Sequence, residues 1–127
     1  MKQFSAQFTN QQYINLETFR KNGIGVKTPV WFLQDGDTLY VRTLDGAGKV
    51  KRVRATHRVR VAPCKVDGQL LGDWEDGVAE IAGEEEARQV DRKLTRKYGA
   101  TKLAFELVNK LRGNRAAVIR IVPVKEI

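Results

Sequence analysis

The chain has 127 residues, 42% hydrophobic and 30% charged, which suits one soluble domain, residues 1–127, with a sizeable core. One cysteine excludes an internal disulfide framework, one histidine leaves no clustered metal-ligand spacing, and no run approaches the ~18 apolar residues of a membrane span. The 23 Lys and Arg against 15 Asp and Glu give a net charge of +8, almost all of it between Gly46 and Val66.

Met1 to Gln12 is rich in Gln, Asn and Ser and has no apolar centre, so no secretory leader is expected and a cytoplasmic protein follows. Phe4 to Gln11 predicts a short helix with Phe4 and Phe8 on one face. Tyr13 to Arg20 alternates Ile14, Leu16 and Thr18 with other residues, the period of a strand. A turn at Lys21–Gly23 leads to a second strand, Val26 to Leu33. Pro29 inside it marks an edge, a bulge, or a place where a ligand replaces a ladder hydrogen bond. Asp35–Asp37 is a tight hairpin turn into a strand over Thr38–Thr43.

A Gly-bearing turn, Asp45–Gly48, opens a basic helix over Ala47–Ala55, with Val50 and Val53 as its apolar stripe. Arg58–Val66 is the fourth strand, and Cys64 in its alternating pattern reads as a packed structural thiol. Trp74–Ala82 is the fifth, with Gly77 expected at a bulge. Glu84–Tyr98 is the clearest helix. Three glutamates start it, Lys93, Arg96 and Lys97 end it, Val90 and Leu94 lie on its buried stripe, and Gly99 stops it. Thr101–Arg112 predicts another helix, and Arg115–Val124 a last strand. This order predicts a mainly β, antiparallel barrel with flanking helices, since closure removes exposed strand edges.

From Gly46 to Val66 the chain carries Lys49, Lys51, Arg52, Arg54, Arg58, Arg60 and Lys65 and no acid. A solvated helix face usually interleaves charges, so this stretch points to an anionic partner, a phosphate or a nucleic acid. Single-strand binders want aromatic platforms along the groove, and this stretch has no Phe, Tyr or Trp, which argues against nucleic acid. A strand feeding a Gly turn and then a basic helix start instead suits a compact phosphate cradle. Pairing of the second and third strands would set Lys27–Val30 beside Arg42–Thr43, near that helix start. A flat ring along the strand, with its phosphate at the helix, fits such a layout.

The runs Leu16–Arg20, Val26–Phe32, Leu39–Thr43, Gly48–Arg52 and Arg58–Cys64 resemble the pyridoxamine 5'-phosphate oxidase-like split-barrel flavoproteins. Together with Arg96–Gly99 and Leu111–Gly113 they are most similar to the deazaflavin-dependent branch, whose members use coenzyme F420. The resemblance implies a split β-barrel (the FMN-binding split barrel) and a homodimer with two cofactor sites at its interface. It implies an oxidoreductase transferring hydride between coenzyme F420, or FMN, and a small organic substrate. By position it assigns the ring to Lys27, Thr28, Pro29, Val30 and Trp31. It assigns the phosphate-bearing tail to Arg42 and Thr43, and the phosphate to Gly48, Lys49 and Arg52. Trp74 is the candidate for an interface or cross-subunit ring contact. Lys27 stands where oxidase members carry Arg and Phe32 where they carry Lys, and an extended C-terminal substrate region is missing, so pyridoxamine-phosphate oxidation is not expected. A non-enzymatic flavin carrier on the same fold and a basic single-strand-binding module are the alternatives.

Overall fold

Residues 4–99 and 115–124 are described in a computed structural model of the chain. Seven strands form one sheet: β1 (Tyr13–Phe19), β2 (Gly25–Trp31), β3 (Leu33–Asp35), β4 (Thr38–Leu44), β5 (Arg58–Cys64), β6 (Glu75–Ile81) and β7 (Ala116–Pro123). Among the described residues two α-helices accompany them, α1 (Gly48–Ala55) and α2 (Glu84–Tyr98). The sheet order is β2-β1-β5-β6-β7-β4-β3, and every pairing is antiparallel.

The two edge strands, β2 and β3, are consecutive in the chain and separated by Phe32 alone. The sheet therefore curls until its edges meet through a bend in one stretch of backbone. This is a split barrel, closed by chain continuity. Its interior is the strands' alternating apolar set: Ile14, Leu16, Leu39, Val41, Val59, Val61, Ala79, Ile119 and Ile121, none more than 1% exposed. Phe32 is 0% exposed at the seam. Phe4 and Phe8 close one end, Phe8 lying edge-on to Phe32 at 6.5 Å between centroids.

Four sequence expectations are corrected. The second strand does not run unbroken from Val26 to Leu33, nor does it lie along Arg42–Thr43. β2 pairs with β1, only β3 pairs with β4, and Arg42 and Thr43 pair with Val118 and Ala117 of β7. The bend at Phe32 hands the chain from one ladder to the other, so the strands number seven. Gly77 sits in unbroken register opposite Val59 and Pro123, with no bulge. It is needed for close approach: a Cβ there would lie 2.9 Å from Ile121 Cγ2 and 3.1 Å from the Val122 carbonyl. The helix expected over Phe4–Gln11 is one 3-10 turn, Ala6–Phe8. Here Ser5 and Gln7 are bonded to Asp73 and Glu75 rather than repeating a helical turn. Pro29 does lie on an edge strand, as its missing N–H requires.

α1 seats Val50 and Val53 in the barrel, both 0% exposed, and packs on β1 and β6. α2 lies on β3 and β7 with Val90 and Leu94 buried, and ends at Gly99 with φ 61°. Cys64 is a buried free thiol, 2% exposed, whose burial raises its pKa. The predicted helix Thr101–Arg112 and the Leu111–Gly113 run lie outside the described residues. No described helix is long and apolar enough to cross a membrane.

Candidate phosphate and ring site

α1 starts after Ala47, whose extended backbone offers no side-chain cap, and its first turn has no acidic residue. Ala47 N–H is taken by the Leu44 carbonyl and Val50 N–H by that of Ala47, so it is the Gly48 and Lys49 N–H groups that look outward for an acceptor. With Val50 and Val53 fixed in the core, the helix turns Arg52 toward β1, where its Nε donates to Thr18 Oγ1 at 2.6 Å. The guanidinium folds back over the helix start: Nη1 lies 2.7 Å from where a Gly48 Cβ would stand. The bare Gly48 lets the guanidinium lie in this place; a side chain there would push the end of Arg52 aside.

Lys49 stands beside this group. Burial lowers its pKa, and the Arg52 charge lowers it further. Arg52 is lowered in turn by burial and then by Arg20, at the end of β1. Arg52 thus repels a cation on either side, Lys49 and Arg20. Among the described residues no carboxylate forms a salt bridge with any of them. Such an arrangement favours an anion between them. Gly48, Lys49 and Arg52 therefore come together as the sequence expected, joined by Thr18 and Arg20, which it did not single out.

β2 runs past the same place. Thr18 is opposite Val26, Leu16 opposite Thr28, and Ile14 opposite Val30. Val26, Thr28 and Val30 thus share the core-facing side with Thr18, and Val30 packs on the core. Lys27, Pro29 and Trp31 line the outer side. There Lys27 Nζ lies 5.4 Å from the Trp74 ring centroid, and Arg60 Cζ lies 4.9 Å from the same ring. Beneath them Glu17, 6% exposed, accepts from Arg60 Nη1 at 3.0 Å. A buried carboxylate held between strands requires such a partner, and the Glu17↔Lys27 and Glu17↔Arg60 registers supply two cations in one row. Lys27 and Trp74 are hence brought together within one chain.

Arg42 and Thr43 part company. Thr43 alternates with Leu39 and Val41 onto the inner side, just before the turn into α1. Arg42 faces outward, and its Nε is 2.8 Å from Asp91 Oδ1 on α2. The two are 49 positions apart, and no local pattern reveals that pairing.

At the far end of β2, Trp31 stacks on Tyr98 of α2, with 4.7 Å between centroids and 14° between planes. Burial pushes Tyr98 up to about 12, and burial with the Glu86 bond does the same for Tyr40. Both stay protonated in the folded state above the ordinary value of 10.0, so stability is lost as pH rises from about 10 through about 12. Burial lowers Lys97 to about 8, which acts in the opposite sense: a gain as pH rises from about 8 to about 10.5. Its contacts with the Phe32 carbonyl and ring, at 2.8 and 3.8 Å, favour the charged amine and temper that gain. Denaturant midpoints should therefore fall steeply only above about pH 10, and the fall should be shallower in Tyr98→Phe. Tyrosinate absorbance appearing in the folded protein at ordinary phenol pKa for all tyrosines would contradict this.

No protein-family model and no curated protein sequence matches the chain. Its fold matches solved structures. A candidate pyridoxamine 5'-phosphate oxidase from Listeria innocua superposes with a TM-score of 0.67 at 18% identity, covering 94% of this chain and 90% of that one. HutZ, a heme storage protein from Vibrio cholerae, gives 0.70 at 15% identity, covering 92% and 84%. A structure described as an F420 reductase gives 0.61 at 15% identity, covering 98% and 96%. The curled seven-stranded sheet and these likenesses together give the chain the antiparallel split-barrel fold of the pyridoxamine 5'-phosphate oxidase-like proteins.

Proposed function

We propose that the chain is an oxidoreductase that binds coenzyme F420, or FMN in its place, and acts on a small organic substrate. The observation that carries this reading is the meeting of Arg20, Lys49 and Arg52 at the uncapped start of α1, beside the strand pair β1–β2. A phosphate dianion satisfies at once the leading N–H groups, the Arg52 fork and the Lys49 ammonium. The Arg52 fork can lie across the helix start because residue 48 has no side chain. The cofactor, when bound, supplies hydride chemistry of its own. The chain's residues hold and orient. Lys49 and Arg52 fix the phosphate end, Thr43 stands at the strand end leading into α1, and β2 offers a rail from Lys27 to Trp31. Pro29 faces the open edge with no N–H to offer, and the alternate residues Lys27 and Trp31 turn their backbone groups to the same edge, where a ring's polar atoms can meet them.

The same reading makes the protein a C2 homodimer, because an open edge strand beside a flat ligand leaves the ring uncovered by a single chain. Trp74, half-buried here beneath Lys27 and Arg60, is the candidate cross-subunit contact. A flavin carrier without turnover is separated from an enzyme by steady-state assay with reduced cofactor. The heme storage neighbour makes heme a ligand to include. The single histidine, His57, stands at the opposite end of α1 from Gly48 and has Nδ1 2.9 Å from the Ala79 carbonyl, leaving Nε2 alone for iron.

The test is a side-by-side titration of the purified protein with FMN, coenzyme F420, hemin and a ~15-nucleotide single strand over a salt series, with sedimentation of each sample. FMN or F420 is expected to bind at micromolar Kd or tighter in ~0.15 M salt, with modest salt dependence, to a dimer. Tighter binding of the oligonucleotide, steepening as salt falls, would overturn the flavoenzyme reading. A monomer with full cofactor affinity would overturn the interface site.

A further inference from the structure

We propose that Tyr98 and Lys97, at the end of α2, are positioning residues for the ring half of the site, clamping the seam peptide Phe32 and the Trp31 plane. The inference rests on β2 being the ring-bearing strand. It assigns a role to the Arg96–Gly99 run, which the phosphate site does not use.

Phe32 belongs to neither ladder: the β1–β2 register ends at Trp31 and the β3–β4 register begins at Leu33. Its peptide groups are buried at the bend and need partners from outside the sheet. α2 provides them. The Phe32 N–H donates to Tyr98 Oη at 3.0 Å, and the Phe32 carbonyl accepts from Lys97 Nζ at 2.8 Å. The Tyr98 hydroxyl has one proton and two carbonyls in reach, Phe32 O at 2.9 Å and Gln12 O at 2.7 Å. With Lys97 already on Phe32 O, the proton falls to Gln12, at the entry to β1. One phenol thus joins the entry of β1, the seam of the barrel and the end of α2.

The same ring sets the neighbouring side chain. Tyr98 lies nearly parallel to Trp31, and Lys97 Nζ sits 3.8 Å from the Phe32 centroid and 5.1 Å from that of Tyr98. Lys97 and Tyr98 are held at the helix end by Gly99, whose φ of 61° terminates α2. The position and tilt of Trp31 are therefore dictated from α2. The phosphate cluster, at the other end of β2, has no bond to this clamp in the described residues. Loosening the clamp should disturb ring binding and leave phosphate binding intact.

The experiment compares wild type, Tyr98→Phe and Tyr98→Leu for binding of riboflavin (ring without phosphate), inorganic phosphate, FMN and coenzyme F420, with amide exchange at Phe32 and Trp31 emission. Tyr98→Phe keeps the stack and loses the hydroxyl. Riboflavin and FMN affinity should fall roughly tenfold, phosphate affinity should stay, and the Phe32 amide should exchange faster. Tyr98→Leu should also shift Trp31 emission. Unchanged riboflavin affinity in both variants, with wild type binding it, removes the clamp alone. Equal loss of riboflavin and phosphate binding also overturns the proposal, since that is general loosening. Where wild type binds coenzyme F420 but not riboflavin or FMN, F420 affinity takes riboflavin's place in the same comparison; wild type that binds phosphate but none of riboflavin, FMN and coenzyme F420 overturns the flavin reading itself.

Discussion

Arg52→Ala and Lys49→Ala are each expected to weaken binding of FMN and of coenzyme F420 about tenfold or more, because each removes a charge-assisted hydrogen bond to phosphate worth roughly 1.5–3 kcal/mol. The arginine should matter more. Its guanidinium lies across the helix start against Gly48, already oriented by the 2.6 Å bond from Nε to Thr18 Oγ1. That orientation comes with the fold and does not have to be achieved on binding. Arg52→Lys should not restore affinity, since an ammonium cannot hold Thr18 and fork onto a phosphate together. Fold stability should barely change or should rise in Lys49→Ala, which ends the repulsion with Arg52. Arg52→Ala sets the same relief against a buried Thr18 hydroxyl left without its partner, so the lysine variant is the one that separates binding from folding. Affinity lost without stability lost is the signature of a binding residue. Isothermal titration beside a denaturation curve reads both quantities, and variants that bind every flavin as tightly as wild type would place the phosphate elsewhere.

What the sequence made legible here follows from the range of the interaction involved. The cationic cluster at the start of α1 is readable because its parts are contiguous: Gly48, Lys49 and Arg52 share one helical turn, and their charge excess needs only counting. Thr18 could have been suspected as the one polar member of the Ile14–Leu16–Thr18 inward set, since a hydroxyl on a core face needs a partner. Arg20 carried no such signal, because a cation at a strand end is ordinary. The bend at Phe32 was hidden for a different reason. Val30, Phe32 and Leu33 are all apolar, and buried strands on either side of a kink read as one run. Pro29 marked the edge but not the break three residues later. Arg42–Asp91 and Tyr98–Phe32 join elements far apart in sequence, and only the packed helix α2 reveals them.

Phe32→Ala should be the most destabilising single change in this part of the chain, by about 3–5 kcal/mol, the range for a buried phenylalanine cut to alanine. Domains of this size are stable by only about 5–15 kcal/mol in total, so the variant stands at the limit of folding. The side chain is 0% exposed and its ring meets Phe8 edge-on at 6.5 Å with 75° between planes. It also offers its face to the Lys97 ammonium at 3.8 Å. Truncation leaves a cavity where it cannot collapse, because β2 and β3 are each held by a different neighbour, β1 and β4. The Lys97 cation then loses its nearer aromatic partner and keeps the carbonyl and the Tyr98 ring, 5.1 Å away. Phe32→Leu, which fills most of the space, should cost under about 1.5 kcal/mol and isolate the cation–π share of the loss. Urea denaturation of the two variants beside Phe8→Ala, a residue 1% exposed in the same cluster, measures whether the seam or the plug carries more of the core. A loss below about 1 kcal/mol for Phe32→Ala would mean that the barrel closes without its seam residue, and that β2 and β3 are held only by their ladders.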